Sequence, residues 1–327
     1  MIALTRNALL VAGILGRRWL HVKHRLQRLF LCFVLLSSPF LYVYGKADFQ
    51  KDEVIIAVLD TGIDDSHELL RGRVIQGFDF IDRDWISEDQ DGHGTHVAGI
   101  IAREAPGARI LSVRIIDNDN DVKYSHAAIL YAISQGADVI NMSFVEPYQP
   151  LTQWAIQYGL SKGVTFVAAS GNQGLEEVGY PARYNGVYSI SGYEEDGHQF
   201  FGNFGENVDY LAPGWKVESA APDGGFATKS GTSMSAAYVS GVLGYMHTAK
   251  PDIKRKELRE LLDARSYEVT KISEAASTVQ GRSERQLDSI AANAGVDAQV
   301  RIPAGSGEAR PYKVIDKARI EAGLLAD

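Results

Sequence analysis

The chain has 327 residues, and its composition, 45% hydrophobic and 23% charged with 32 glycines, is that of a globular protein with a sizeable core. Residues 1–47 carry seven basic side chains and no acidic one. The rest of the chain therefore holds 26 of the 33 Lys and Arg residues and all 41 Asp and Glu residues, and is strongly acidic. Because affinity for nucleic acids depends on basic groups that neutralise phosphates, a body this acidic excludes nucleic acid as an expected partner.

Residues 1–47 have the pattern of a signal peptide or membrane anchor. Basic residues precede an apolar run, Leu29–Tyr44, and small residues follow it at Gly45 and Ala47. The run is short for a span that needs about 20 residues, and Pro39 interrupts it. We therefore expect a cleaved signal; an uncleaved anchor with membrane contact through Leu29–Tyr44, and a buried helix, are the alternatives. The positive charge before the run predicts an exported body, periplasmic or extracellular.

From residue 54 onward, short apolar runs alternate with stretches of helical spacing. The runs suit strands that are buried on both faces; they are Val54–Leu59, Ile110–Ile116, Val139–Met142, Thr165–Ala169 and Val187–Ser191. Helical spacing occurs in Ser125–Gln135 and Leu151–Ser161, each ending near a glycine that can cap it. This alternation predicts an α/β fold with a mostly parallel central sheet and helices on both faces.

The C-terminal part of the chain has a different pattern. A charged helix is predicted over Asp252–Ala264, and the region 269–310 is rich in Ser, Ala, Gly and charge, with helical spacing near Glu284–Ala292. An ordered pattern resumes over Pro311–Ala322. We expect a single domain over residues 48–327 with a polar surface insertion at about 269–310.

Three motifs place an Asp, a His and a Ser in that order along the chain. Asp60 lies at the C-terminal end of the first strand, where catalytic groups collect in open α/β sheets. His93 lies in the first turn of one helix and Ser233 opens another, whose N-terminus stabilises negative charge. Alone, each has an ordinary interpretation as a turn, helix or N-cap residue. Together they meet the needs of a serine nucleophile, which requires a base that is itself oriented by a carboxylate.

Two neighbouring residues are interpreted from their settings. Asn172 ends a strand in a Gly-Asn turn; besides forming a plain turn, its amide can donate to the oxyanion of a tetrahedral intermediate, together with the backbone N–H of Ser233. His96 forms an HxxH pair with His93. Because no Glu base or third ligand lies nearby, we interpret His96 as a structural residue of the helix and not as a metal ligand.

Seven motifs in register resemble the subtilases (subtilisin-like peptidases) over Glu53–Ala264, and Pro311–Ala322 resembles the closing segment of that family. They are DTGI at Asp60, HGTHVAG at His93, NMS at Asn141, AASGN ending at Asn172, YPARY at Tyr180, LAPG at Leu211 and GTSMS at Thr232. The resemblance implies a subtilisin-like three-layer sandwich that cleaves peptide bonds through an acyl-enzyme. Asp60, His93 and Ser233 would form the catalytic triad, with Asn172 in the oxyanion hole.

The same resemblance implies a substrate-binding cleft and the absence of a cofactor. The cleft would be lined by Ser143, Phe144, Val145, Ala169, Ser170 and Gly171. We expect a monomeric serine endopeptidase that acts on proteins or peptides and requires no cofactor. A peptide-binding protein that has lost catalysis, and a maturation protease dedicated to one partner, are the competing interpretations.

Several positions depart from the family pattern and bear on specificity. Relatives continue NMS with Leu-Gly-Gly, whereas this chain has Phe144, the β-branched Val145, a Glu and Pro147, which lacks an N–H. We expect a narrowed S1 pocket and a restricted P1 preference.

Two further departures lie elsewhere in the chain. Ala237 and Tyr238 replace a Pro-His pair after the nucleophile, which predicts an altered partitioning of the acyl-enzyme between water and amines. The loop after Asn172 contains Gln173, Glu176 and Glu177. We interpret it as a solvated surface loop; the alternative is that these side chains make the floor of the S1 pocket acidic.

No metal site is expected. The helix from His93 continues through residue 104 without the loop that binds a structural calcium in many secreted relatives. The acidic loop at Asp117, Asp119 and Asp121 lacks the Gly and terminal Glu of an EF-hand and is interpreted as a solvated turn, with a calcium site of another kind as the alternative. The only cysteine, Cys32, lies in the N-terminal apolar run, so the body offers no thiolate ligand.

Overall fold

The computed structural model describes residues 53–193, 200–269 and 312–324, and within these ranges the chain folds around a ten-stranded sheet. The signal or anchor expected in residues 1–47, the membrane contact through Leu29–Tyr44 and the insertion expected beyond residue 269 lie outside the described residues. Among the described helices, none combines the length and the apolar character needed to cross a membrane.

The strands are named in chain order: β1 (Ile55–Asp60), β2 (Val74–Asp79), β3 (Arg109–Arg114), β4 (Val139–Met142), β5 (Thr165–Ala169), β6 (Tyr188–Tyr193), β7 (Phe200–Phe201), β8 (Tyr210–Pro213), β9 (Val217–Ala220), β10 (Phe226–Lys229), β11 (Tyr267–Val269) and β12 (Tyr312–Val314). The main sheet has the order β11-β12-β8-β6-β5-β4-β1-β3-β2. Its neighbours are parallel except for β11 with β12, and β7 pairs antiparallel with β6. A separate hairpin joins β9 and β10.

The helices are α1 (His93–Glu104), α2 (Ser125–Ser134), α3 (Pro150–Ser161), α4 (Thr232–Ala249), α5 (Arg255–Arg265) and α6 (Lys317–Leu324). Alternate residues of each central strand face opposite layers, as the period of a strand requires. Ile56 and Val58 of β1 share one core cluster with Val97 of α1 and Val242 of α4. On the opposite layer, a Cβ placed on Gly159 of α3 would collide with the ring of Phe166, which shows how closely α3 lies on β5.

The carboxyl ends of the central strands bring the functional motifs to one edge of the sheet. Strand β1 ends at Asp60, β4 at Met142 just before Ser143, and β5 at Ala169. Helix α1 begins beside the end of β1. A Cβ on Gly94 would lie 2.1 Å from the carbonyl oxygen of Gly62 and 3.2 Å from Cβ of Asp60, which shows how closely the two elements approach.

The predicted fold class, an α/β fold with a mostly parallel sheet, is confirmed. Strands β4 and β5 have the predicted bounds, while β1, β3 and β6 are displaced by about one or two residues, which is the usual uncertainty of element ends. Helix α5 begins at Arg255, three residues later than predicted, because Asp252 belongs to the preceding turn. Strand β2 was not predicted, because its residues are mostly half-buried at the edge of the sheet and Gln76 and Gly77 interrupt its apolar run.

Candidate active site

Asp60 and His93 form a hydrogen-bonded pair at the end of β1. His93 Nδ1 lies 2.7 Å from Asp60 Oδ1, and the buried carboxylate also accepts the backbone N–H of Thr61 at 2.8 Å. Because an ionised carboxylate only accepts, the Nδ1 of His93 carries the proton and its Nε2 is the basic nitrogen. Burial lowers the pKa of His93, but the charge of Asp60 and the hydrogen bond to it outweigh burial and raise the pKa above its usual value.

The start of α1 is held by Asp89, which sequence reasoning did not single out. Its Oδ1 accepts the hydroxyl of Thr61 and the N–H of Gly92, both at 2.8 Å, and its Oδ2 accepts the N–H of Thr95 at 2.8 Å. Thr61 Oγ1 in turn accepts the N–H of Gly94 at 2.9 Å. Gly92, in the left-handed conformation (φ 92°), has no side chain to cap the helix, so Asp89 satisfies these N–H groups from outside. The only sequence signal was an Asp shortly before a helix start.

Ser233 lies in the first turn of α4 and is 8% exposed. Its hydroxyl donates to the backbone carbonyl of Ser143 at 3.0 Å, and the hydroxyl of Ser143 donates to the backbone carbonyl of Ser233, also at 3.0 Å. The two serines are therefore joined by a reciprocal pair of hydrogen bonds, in which the hydroxyl proton of Ser233 points to the backbone carbonyl oxygen of Ser143.

The amide of Asn172 is oriented by the start of α4. Its Oδ1 accepts both the N–H and the hydroxyl of Thr232, at 2.9 and 3.0 Å. Because the N–H of Thr232 can only donate, the amide atom that faces it is the oxygen Oδ1, and the other amide atom is the donor Nδ2. A Cβ on Gly231 would lie 3.5 Å from this Nδ2, which places the donor beside the backbone that leads into Ser233.

The predicted lining residues form two segments, residues 143–145 (the first wall) and 169–171 (the second wall), which are connected through Val145 and Gly179. Val145 is 40% exposed, and its Cγ1 lies only 2.5 Å from the position that a Cβ on Gly179 would occupy. The N–H of Gly179 donates to the carbonyl of Ser170 at 3.0 Å, which ties Gly179 to the second wall. The side chains of Phe144 and Ser170 are buried, as is that of Ala169, so these predicted lining residues offer mainly backbone to the cleft.

Glu146 anchors the first wall and was not predicted as a site residue. Its carboxylate is almost fully buried and accepts the hydroxyl of Ser125 at 2.9 Å, and Thr152 Oγ1 lies 2.7 Å from that hydroxyl. Its N–H donates to the carbonyl of Tyr180 at 2.8 Å. Burial raises the pKa of Glu146.

The loop after Asn172 is organised by Asn203, which sequence reasoning also missed. Asn203 is buried, and its Oδ1 accepts the N–H groups of Gln173 and Leu175 at 3.0 and 3.2 Å. Glu176 and Glu177 are exposed. Glu177 pairs with Arg183. The acidic side chains thus belong to the solvated side of the loop.

Of the other predicted positions, Ala237 is fully buried, and the hydroxyl of Tyr238 accepts the N–H of Lys317 at the start of α6 at 3.3 Å. In the acidic loop after β3, the carboxylate of Asp117 accepts the N–H groups of Asp119 and Asp121 at 3.1 and 2.9 Å. Lys123 pairs with this loop. The part of the chain that the structure describes contains no group of three or more His, Cys, Asp or Glu residues arranged to hold a metal ion.

His96 links α1 to the β9–β10 hairpin. It is fully buried, and its Nε2 lies 3.1 Å from the carbonyl oxygen of Val217 and 3.0 Å from that of Ala227. Burial lowers the pKa of His96 to about 4, so that at neutral pH the uncharged ring donates its proton to these two carbonyls. Both contacts support the structural role predicted for His96.

Comparisons with known proteins show what this chain is similar to. A model of the subtilase family matches residues 51–286. The thermophilic serine proteinase of Bacillus sp. (strain AK1) is 39% identical over 201 residues, which are 57% of this chain and 50% of that protein. Thermitase of Thermoactinomyces vulgaris is 38% identical over 205 residues, 58% of this chain and 74% of that protein. The crystal structure of a cold-adapted subtilisin-like serine proteinase superimposes with a TM-score of 0.62 at 32% identity, covering 71% of this chain and 88% of the other. The chain thus spans half the length of the first of these relatives.

Replacement of Asp89 by Ala is expected to loosen the start of α1. The substitution leaves the N–H groups of Gly92 and Thr95 without their acceptor and should lower the free energy of unfolding by about 1–2 kcal/mol. Urea unfolding in a Ser233→Ala background, which prevents self-digestion, measures the effect. Glu88→Ala, at an exposed neighbouring position, is the matched control, and an equal loss in both variants contradicts the role of Asp89.

His96 is expected to make stability depend on pH. Its folded pKa of about 4 lies below the unfolded value of 6.5, so the unfolded state binds a proton first as the pH falls. The contribution of His96 to the free energy of unfolding is complete above pH 6.5 and is lost progressively as the pH falls to 4. Between pH 7 and pH 5 the free energy of unfolding should fall by about 2 kcal/mol on this account. Urea unfolding of Ser233→Ala with and without His96→Gln tests this, and an identical pH dependence of the two proteins refutes it.

Proposed function

We propose that this chain, which belongs to the subtilase family, is a serine endopeptidase that hydrolyses peptide bonds in proteins or peptides. The observation that carries the proposal is the 2.7 Å contact between His93 Nδ1 and the buried Asp60. It leaves the basic Nε2 of His93 available at the edge of the sheet where Ser233 opens α4. Asp60, His93 and Ser233 are the proposed triad, with Asn172 as the oxyanion donor.

The proposed reaction begins when the hydroxyl of Ser233 turns from the carbonyl of Ser143 and gives its proton to Nε2 of His93. Ser233 Oγ then attacks the substrate carbonyl, and the developing oxyanion accepts hydrogen bonds from Asn172 Nδ2 and the N–H of Ser233. His93 passes the proton to the leaving amine, and water repeats the sequence on the acyl-enzyme. The negative charge of Asp60 stabilises the imidazolium, in accord with the raised pKa of His93.

The cleft supports a restricted specificity. The side chain of Val145 lies against Gly179, and we propose that it narrows the S1 pocket and keeps out large P1 side chains. A small P1 residue is therefore proposed. A narrow cleft also favours a dedicated maturation protease over a broadly digesting enzyme. We propose further that the enzyme works as a monomer without a metal cofactor. Its basic and apolar N-terminal pattern supports action outside the cytoplasm, with or without an anchor.

A fluorophosphonate probe tests the chemistry. The wild type should be labelled and Ser233→Ala should not, whereas Ser189→Ala, which removes a buried hydroxyl from β6, should be labelled like the wild type. Asn172→Ala should still be labelled but should hydrolyse peptides about 10²–10³ times more slowly, the usual cost of one oxyanion donor. A wild type that resists the probe would instead identify a peptide-binding protein that has lost catalysis.

Val145→Gly is expected to open the cleft to large P1 side chains. Removal of the branched side chain should raise kcat/KM for peptides with Leu or Phe at P1 by about tenfold or more, since each added carbon of a pocket ligand is worth about that factor. Cleavage of a random peptide library by both proteins measures the change. Leu151→Ala, at an exposed apolar position on α3, is the control. Free cleavage after large residues by the wild type rejects the narrow pocket.

A further inference from the structure

Asn141, the first residue of the NMS motif, takes no part in the proposed reaction, yet it lies fully buried in the middle of the sheet. Its strand β4 pairs with β1 at Val58 and with β5 at Val167. An apolar side chain would fill such a position at no cost in desolvation, whereas a buried amide is tolerated only when it is hydrogen-bonded. Asn141 therefore has a role that an apolar residue does not supply.

The amide of Asn141 is the centre of a buried chain of hydrogen bonds that ends at the nucleophile. The hydroxyl of Ser240 donates to Asn141 Oδ1 at 2.9 Å, and Asn141 Nδ2 donates to Ser143 Oγ at 2.9 Å. Ser143 Oγ donates to the carbonyl of Ser233 at 3.0 Å. The four residues are at most 8% exposed.

The direction of every bond in this chain is determined by the carbonyl of Ser233, which can only accept, so the single proton of Ser143 goes to it. Ser143 must then accept from Asn141, whose NH₂ therefore faces it. The amide oxygen of Asn141 faces the other way and accepts the hydroxyl of Ser240. Ser240 and Ser233 lie two turns apart on α4, so the chain fastens this face of α4 to the end of β4.

We infer that Asn141 and Ser240 are positioning residues, which orient Ser143 and through it hold Ser233 where His93 can take its proton. The inference rests on the proposed function, because it concerns the same nucleophile. Its physical reason is that a displacement of a reacting atom by about 1 Å can cost a factor of 10² in rate. Neither residue touches the substrate, so their loss should change the chemical step and leave binding nearly unaltered.

The test measures the rate at which a fluorophosphonate acylates Ser233. Ser240→Ala frees the amide to rotate and should slow acylation about tenfold, with a similar loss in kcat and with KM within about twofold of the wild type. In a Ser143→Ala background the same substitution should have no further effect, because Ser240 acts through Ser143. Ser189→Ala, another buried Ser→Ala change, controls for lost packing and should be acylated at the wild-type rate.

Asn141→Asp provides a second variant of the same shape. Its carboxylate cannot donate, so Ser143 would turn its proton towards residue 141 and release the carbonyl of Ser233, with at least the same tenfold loss expected. Wild-type acylation of Ser240→Ala or Asn141→Asp, or an equal effect of Ser240→Ala with and without Ser143, overturns the inference. Failure of the wild type to react at all overturns the proposed function, which distinguishes the two.

Discussion

The site depends on how closely α1 and α4 pack on each other and on β1. A Cβ on Gly241 of α4 would lie 2.4 Å from Cβ of Glu104 in α1, and one on Gly244 would lie 2.3 Å from Cδ1 of Ile56 in β1. A side chain at either glycine would therefore collide with α1 or β1, so the helices can approach this closely only because these positions are glycine. One helix begins at His93 and the other carries Ser233 in its first turn. Their relative position is thus a consequence of helix packing, and the proposed proton transfer from Ser233 to His93 depends on it.

The same edge of the sheet shows how the helix starts are satisfied. Neither α1 nor α4 has a side-chain hydrogen bond from its own N-cap residue. Asp89 serves α1 from the preceding loop, and Asn172 accepts the N–H of Thr232 from the end of another strand. Asn172 therefore does two things with one amide: its oxygen holds the helix that carries the nucleophile, and its nitrogen is directed towards the proposed oxyanion position. Stability of the helix start and geometry of the reaction are coupled through these groups.

How much of this was predictable depends on the range of the interactions. Strands β4 and β5 were found from the sequence because burial on both faces produces continuous apolar runs. Asp60, His93 and Asn172 were predicted as site residues because each lies in a short local motif. The hydrogen bonds around them were not predicted, because the partners are distant in the chain: Ser240 and Asn141 are 99 residues apart, and Asn203 accepts the N–H of Gln173 30 residues earlier. Neither spacing nor composition reveals such a partner; only the folded sheet brings the two together.

The proposed narrowing of the cleft depends on the buried neighbour of Val145 as much as on the size of Val145. The carboxylate of the next residue, Glu146, accepts the hydroxyl of Ser125, which begins α2. The N–H of Glu146 donates to the carbonyl of Tyr180. For Val145 to withdraw from Gly179, the backbone would have to pull a buried, hydrogen-bonded carboxylate away from its partner, at a cost of about 1–3 kcal/mol. A glycine-rich segment without such an anchor would yield more easily to a larger substrate. In this chain Glu146 holds the first wall in place, so the proposed preference for small P1 residues depends on the anchored backbone as well as on the side chain of Val145.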